Sequence, residues 1–386
     1  MNRWITKKIA DIADVVAGGT PSTNNSEFWN GNIGWITPAD LSGYKYRYIA
    51  NGARNISNAG LNNSSAYLLP KNTILLSSRA PIGYVAIAEK ELATNQGFKN
   101  LICDDTQVDY RFMYYWLHLN SDALKSFASG ATFPELSAGT VKKIKVTLPD
   151  MVTQNRIADI LFAYDELIEA NTRRIELLEQ TAQELYKEWF VRFRFPGYEN
   201  AKFENGLPQG WSYEKFKDEL IYNTGKLDSN AAVLDGEYSF YTCAKTIYKT
   251  NTYCFDGECV LLGGNNATGD FCLFYANEKL DAYQRTYIVT PQNQALSCVY
   301  IYFVLKDYLL QFKTASIGAT TKFLTKGMLD KAKILVPDEK TILRYNEITK
   351  NMFDQIVSLK AKNENLVAQR NMLLPRLMSG KLEVKV

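Results

Sequence analysis

The sequence predicts an α+β fold: two tandem mixed α/β globules separated by two long helices, which pair as an antiparallel intramolecular coiled coil in a pseudo-twofold chain. Three observations carry that expectation: a segment that recurs without a gap, a heptad apolar pattern after each copy, and short β-type runs set in loop-rich sequence.

The recurring segment comes first, because a missed repeat misreads the whole architecture. GATFPELSAGTVKKIKVTLPD, Gly130 to Asp150, returns 188 residues later as GATTKFLTKGMLDKAKILVPD, Gly318 to Asp338. Gly130, Ala131, Thr132, Leu136, Gly139, Lys143, Lys145, Pro149 and Asp150 find identical partners, and Ser137 meets the hydroxyl of Thr325. Weaker echoes lie upstream, TILLSSRAPIGYVAI facing ECVLLGGNNATGDFCLF and TNQGFKNLI facing YQRTYIVT. Each copy opens on a Trp-containing segment and closes on a helical stretch, so the chain divides into a globule at 1–150, a helix at 151–192, a linker and second globule at 193–338, and a C-terminal helix with its tail at 339–386.

The globules are rich in Gly, Asn, Thr and Tyr, with β-type runs such as NTILLSS, GYVAIAE, CVLLGG and KILVP. That pattern reads as mixed α and β with many loops. Tyr114 to Leu117 and Tyr302 to Leu305 read as buried helix faces.

In the first helix a seam runs through Ile157, Leu161, Tyr164, Ile168, Asn171, Ile175, Leu178, Ala182, Leu185 and Trp189. Steps alternating between four and three imply a coiled coil rather than a face packed on a globule. The second seam is Tyr345, Ile348, Met352, Ile356, Leu359, Asn363, Leu366, Arg370, Leu373 and Leu377, with one step that breaks heptad phase. Each holds a single Asn, the residue type that fixes register at some cost in stability. Met151 to Phe190 carries four basic and eight acidic residues, and Glu339 to Met378 seven basic and four acidic. Net charges of -4 and +3 favour pairing of the two helices with each other within one chain, although pairing between chains would satisfy the same pattern. An antiparallel pair puts one globule at each end, and a seam of 33 residues makes a rod of about 50 Å, against about 34 to 36 Å for one turn of duplex DNA.

A chain of 386 residues with 46% hydrophobic and 22% charged residues has the balance of a globular protein. No apolar run is long enough to cross a bilayer, and MNRWITKKIADIADVV lacks the features of a signal peptide. A cytoplasmic location without membrane contact is the expectation. The six cysteines read as reduced, buried strand residues with no metal-binding spacing, and the net charge of +3 does not by itself announce nucleic acid. Neither NPPY nor DPPY occurs, GGNNATGD places Asp270 where a phosphate loop needs Lys, and His118 is the only histidine. No catalytic or metal site is therefore expected.

The duplicated GAT...L[ST]xG...PD segment, the linker LYKEWFVRFRFPGYENAKFENGLPQGW and the C-terminal LLPRLMSGKLEV together make nearly the whole chain resemble the specificity subunits of type I restriction-modification systems. The resemblance implies a non-catalytic, DNA-binding subunit. Each globule would be a target recognition domain reading one half of a bipartite sequence in double-stranded DNA. The helices would set the spacer and dock two modification (methyltransferase) subunits, which carry S-adenosylmethionine and methylate adenine. A separate restriction/translocase subunit would cleave, and this chain would need no cofactor of its own. One departure is WITPAD, Trp35 to Asp40, which faces the unrelated YTCAKT in the second copy.

Base edges are matched by Arg or Lys for guanine, Asn or Gln for adenine and acids for cytosine, whereas phosphates take cations, hydroxyls and amides. Loops that combine both supply the DNA-contact candidates. In the first globule these are Thr37, Asp40, Tyr44, Lys45, Arg47, Ser77, Ser78, Arg79, Asn95, Gln96, Lys99 and Thr132. In the second they are Lys245, Lys249, Asn265, Asn266, Gln284, Arg285, Thr320 and Lys322. Two rival readings are a coiled-coil adaptor or scaffold without DNA readout and a stand-alone DNA-modifying enzyme with unusual motifs. Binding of S-adenosylmethionine by the isolated chain would mark the second.

Overall fold

The computed structural model describes residues 4–128, 134–316, 318 and 320–384. They form two compact units, Met1–Thr172 with Lys362–Val386, and Arg173–Ala361.

The first unit runs β1 (Ile5–Lys8), β2 (Ala13–Ala17), β3 (Trp29–Ile36), β4 (Tyr48–Ile49), β5 (Arg54–Ile56), α1 (Asn58–Asn62), β6 (Ile74–Ser78), β7 (Ile82–Ala88), β8 (Leu92–Thr94), β9 (Phe98–Cys103), α2 (Tyr110–Leu119), α3 (Ser121–Ser126), α4 (Ala138–Lys143), β10 (Lys145–Leu148) and the start of α5 (Met151–Tyr186). Its main sheet has the order β2-β9-β6-β7-β4, with β4 parallel to β7. β6 lies at the centre and every residue in it is buried. Its side chains alternate between faces: Ile74 and Leu76 join Phe112, Met113 and Tyr115 of α2, and Leu75 packs with Ala86, Ala88 and Phe98 on the other side. A smaller sheet, β5-β3-β8, holds Trp35 and Ile36.

The second unit takes up the rest of α5 and continues with β11 (Phe203–Glu204), β12 (Leu207–Pro208), β13 (Ser212–Lys215), α6 (Phe216–Glu219), β14 (Leu220–Thr224), β15 (Tyr238–Tyr241), β16 (Tyr248–Thr250), β17 (Phe255–Gly263), β18 (Asn265–Asn266), β19 (Leu273–Ala282), β20 (Thr286–Pro291), α7 (Cys298–Ala315), β21 (Lys322–Phe323), α8 (Lys326–Lys331), β22 (Lys333–Val336) and the first part of α9 (Glu339–Met378). Its sheet, β14-β20-β17-β19-β15-β16, repeats the order of the first with one strand added. β15 is again parallel to β19, and Val260 and Leu262 face α7 while Cys259 and Leu261 face away. Among the described residues this unit has no counterpart of the β5-β3-β8 sheet, so WITPAD belongs to an element that only the first unit contains.

The recurring segment has the same job in both units. Leu136 N–H donates to the carbonyl of Ser78, and Leu324 N–H to that of Gly264, each at 2.9 Å, which ties the segment to the end of the central strand. Further on, β10 pairs with β1 and β22 with β13. The duplicated Pro-Asp then starts each long helix. Asp150 accepts from Thr153 N–H at 2.9 Å and Asp338 from Thr341 N–H at 3.1 Å, satisfying amide groups that a helix start leaves open.

Both units contain the helix pair. In the first, the C-terminal part of α9 lies antiparallel to the N-terminal part of α5: Asn171 Nδ2 donates to Asn363 Oδ1 at 2.8 Å, and Arg370 pairs with Asp165. In the second, Arg174 donates to Gln355 at 2.7 Å. Ile157, Leu161, Ile356 and Leu359 are buried, and Ile168, Ile175, Leu178, Leu185, Ile348, Met352, Leu366 and Leu373 are half-buried. Half-burial is what a two-stranded seam gives its middle positions.

One expectation needs correction. The helices are not only a coiled coil, because a second stripe on each packs into a globule. Ala158, Phe162, Asp165 and Glu169 are buried in the first unit, as are Tyr186, Phe190, Ile342 and Phe353 in the second. A stripe widened from the seam is the broader apolar face of a helix resting on a domain.

Candidate nucleic-acid interface

In the second unit the end of β17, the turn before β20 and the recurring segment converge on a concave pocket of about 640 Å3. Gln284, Arg285, Tyr287, Phe323 and Lys326 line it, and none of its described lining residues is acidic. Gln284 and Arg285 are exposed. The Arg285 guanidinium lies 5.1 Å from the centre of the Phe323 ring, a cation–π arrangement. Gln284 Nε2 donates to Asp228 at 2.7 Å. Beside the pocket, Asn265 and Asn266 of β18 pair with Phe323 and Lys322 of β21. Asn266 Oδ1 accepts from Thr268 and from the Asp270 amide, so its side chain shapes the loop. Thr320 is exposed, as is Lys245, whereas Lys249 is half-buried on the edge strand β16.

The corresponding corner of the first unit gathers Thr37, Ser77, Ser78, Arg79, Asn95, Gln96 and Lys99; Thr132 lies outside the described residues. Ser78 N–H donates to Gly97 O at 2.7 Å, as Gly264 N–H does to Arg285 O, so the two corners share one frame. Arg79 Nη1 stands 3.7 Å from Glu135 Oε2, and Lys99 Nζ donates to Glu135 Oε1 at 2.9 Å and to Ser78 Oγ at 3.2 Å. Gln96 is exposed and accepts from Thr20. Asn95 Oδ1 accepts from Gly97 N–H at 2.9 Å.

Several candidates have internal work instead. Ser77 and Ser78 are fully buried within β6, Ser77 Oγ donating to Pro81 O and accepting from Tyr84 N–H. Lys99 is buried as well. Asp40 accepts from Thr37 N–H and Oγ1 and from Ala53 N–H, so its carboxylate closes a turn. Arg47 differs most from expectation. It is 5% exposed, and its Nε and backbone N–H both meet Glu169 Oε1, at 2.9 and 2.7 Å, while Nη2 meets Oε2 at 3.3 Å. A guanidinium so enclosed fastens the globule to α5. Tyr44 and Lys45 are exposed next to it, lining with Arg47, Asp165 and Arg370 a separate cavity of about 330 Å3 on the helix side.

Residues 1–180 match the family model described as the type I restriction modification DNA specificity domain. The type I restriction enzyme MjaIX specificity subunit of Methanocaldococcus jannaschii is 33% identical over 412 aligned residues, covering 99% of this chain and 94% of the relative. The chain belongs to the specificity subunits of type I restriction enzymes. The EcoDI specificity subunit of Escherichia coli is 31% identical over 46% of this chain and 39% of its own. A crystal structure of the S subunit from M. genitalium has the same fold, with a TM-score of 0.62 at 16% identity, covering 97% of this specificity subunit and 96% of that chain.

Sequence reasoning passed over Glu135, Tyr287, Phe323 and Lys326. The signal for two of them was present: Glu135 and Phe323 are repeat partners of opposite character, directly before the shared Leu136 and Leu324. The cysteine expectation also needs amending. Cys259 is a buried strand residue whose thiol burial pushes up to about 12. Cys254 is exposed, Cys243 half-buried in a loop, and Cys298 opens α7. No helix among the described residues is long and apolar enough to cross a membrane.

Proposed function

We propose that this specificity subunit supplies the DNA sequence selectivity of a type I restriction-modification enzyme, each globule reading one half of a bipartite duplex target. The observation that carries the proposal is the pair of corners at Ser78 and Gly264. They share one backbone frame, yet one presents Arg79 with Glu135 and the other Arg285 with Phe323. Like frames with unlike side chains suit two readers of different sequences. The direct-readout and phosphate candidates are the exposed Gln96, Gln284 and Arg285, with the half-buried Arg79 and Lys322 beside them.

The α5–α9 pair docks two modification subunits and fixes the spacer between the half-sites. S-adenosylmethionine sits on those subunits, which methylate adenine, and a restriction/translocase subunit completes the assembly. Rigid helices suit a ruler because their rise of about 1.5 Å per residue is set by backbone hydrogen bonds.

The test is methylome sequencing of cells that express the chain with its modification subunits, before and after one globule is exchanged for that of a relative. One half of the methylated sequence should change while the other half and the spacer stay. An unchanged sequence would leave the scaffold reading in its place.

A further inference from the structure

Resting on that reading, we infer that the repeat position occupied by Glu135 in one unit and Phe323 in the other determines specificity, and that Arg285, held over the Phe323 ring, reads a guanine.

Both units bring an arginine to this position, from different strands. Arg79 follows β6, whereas Arg285 precedes β20. What each arginine meets is dictated by a coupled difference beneath it. Because Gly97 and Arg285 occupy equal places in the frame, so do Lys99 and Tyr287 two residues on. Lys99 is buried, and a buried ammonium needs a counter-charge, which Glu135 supplies. Tyr287 carries no charge and satisfies its hydroxyl on Leu324 O at 3.0 Å. The neighbouring repeat position is then free to be apolar, and it is Phe323.

The consequence falls on the arginine. Arg79 shares its charge with a carboxylate that Lys99 holds in place. Among the described residues Arg285 has no ion-pair partner, and its guanidinium carbon lies over the Phe323 ring at 5.1 Å from the ring centre. A cation–π contact limits the rotamers of the side chain without using its N–H groups as hydrogen-bond donors. An unpaired, pre-oriented fork matches the O6 and N7 acceptors that guanine shows in the major groove. Lys326, with its ammonium 5.6 Å from the Tyr222 ring centre on the same pocket, supplies a point charge suited to a backbone phosphate.

The experiment uses the complete methyltransferase, this chain with its modification subunits, acting on a duplex library randomised across both half-sites. Thermal unfolding of each variant confirms folding. Arg285→Ala should cut discrimination at one base pair of one half-site roughly tenfold or more and leave every other position unchanged. Phe323→Leu should weaken the same position less, and Phe323→Glu should shift its preferred base. Lys326→Ala should lower methylation evenly across the library. A uniform loss from Arg285→Ala, or an Arg285→Ala profile equal to that of the unsubstituted protein, overturns the inference. If the unsubstituted complex itself shows no base preference in the library, the wider reading fails instead.

Discussion

Asn171 and Asn363, the single Asn of each helical seam, meet at 2.8 Å, and Asn363 Nδ2 also reaches Ile168 O and Thr172 Oγ1 at 3.2 Å. A polar pair satisfied in this way stabilises one register of the helices, because any slip leaves an amide in an apolar seam. Replacing either Asn by Leu should cost about 1 kcal/mol by stranding its partner, while the double replacement should cost less than the sum of the two. Chemical unfolding of the three variants measures the coupling, and strictly additive losses would show that the contact carries no energy.

Arg47 and Glu169 should behave as a structural clamp. Glu169→Ala leaves a guanidinium buried without its counter-charge, and the expected cost is about 3 to 5 kcal/mol. Enclosure shields the pair from added salt, so the loss should be nearly the same at low and high ionic strength. If Arg47 contacted DNA, its replacement would instead alter base preference in a protein of normal stability.

The Lys99, Glu135 and Arg79 cluster predicts an asymmetry. Glu135→Ala strands the buried ammonium of Lys99 and should cost about 3 kcal/mol, whereas Lys99→Met releases a carboxylate whose side chain is already 40% exposed and should cost under about 1 kcal/mol. The pair Lys99→Tyr with Glu135→Phe, copied from the second unit, should recover most of the stability lost in Glu135→Ala. Failure to recover it would show that the Lys–Glu and Tyr–Phe pairs are not interchangeable within the shared frame.

The architecture was legible because its signals are local and repeated. Leu136 anchors the segment to a strand end, Pro149 and Asp150 begin a helix, and their partners 188 residues on do the same. The heptads were legible for the same reason, since a seam is a property of one helix at a time. The candidate site was legible only in part, because a cation's role depends on partners distant in sequence. Arg47 read as a loop cation, and the residue that neutralises it lies 122 positions away. Ser77 and Ser78 end the β-type run NTILLSS, where two hydroxyls suggest a strand giving way to a loop, yet pairing with β7 and β9 keeps them inside the sheet. Phe323 was missed because it carries no hydrogen-bonding group, the property by which the other candidates stand out. Its effect is exerted through Arg285.

Asp338 joins the second globule to α9, accepting from Thr341 N–H at 3.1 Å and from Trp211 Nε1 at 2.9 Å. Partial burial pushes its carboxyl up, but the hydrogen bonds from Thr341 and Trp211 outweigh that and hold it below the usual carboxylate range. A carboxyl depressed in the folded state binds a proton more readily once unfolded, so its contribution is complete above the unfolded value of about 3.9 and is lost as pH falls through the folded one. Asp338→Ala should cost about 1 to 2 kcal/mol at neutral pH, the usual worth of a helix cap. Asp338→Asn retains an acceptor for the helix amide and should cost less, while removing this residue's share of the acid sensitivity. Urea midpoints followed from about pH 6 down to about pH 3 distinguish the two. Parallel acid profiles for Asp338→Asn and the unsubstituted protein would mean that the cap is not the titrating element.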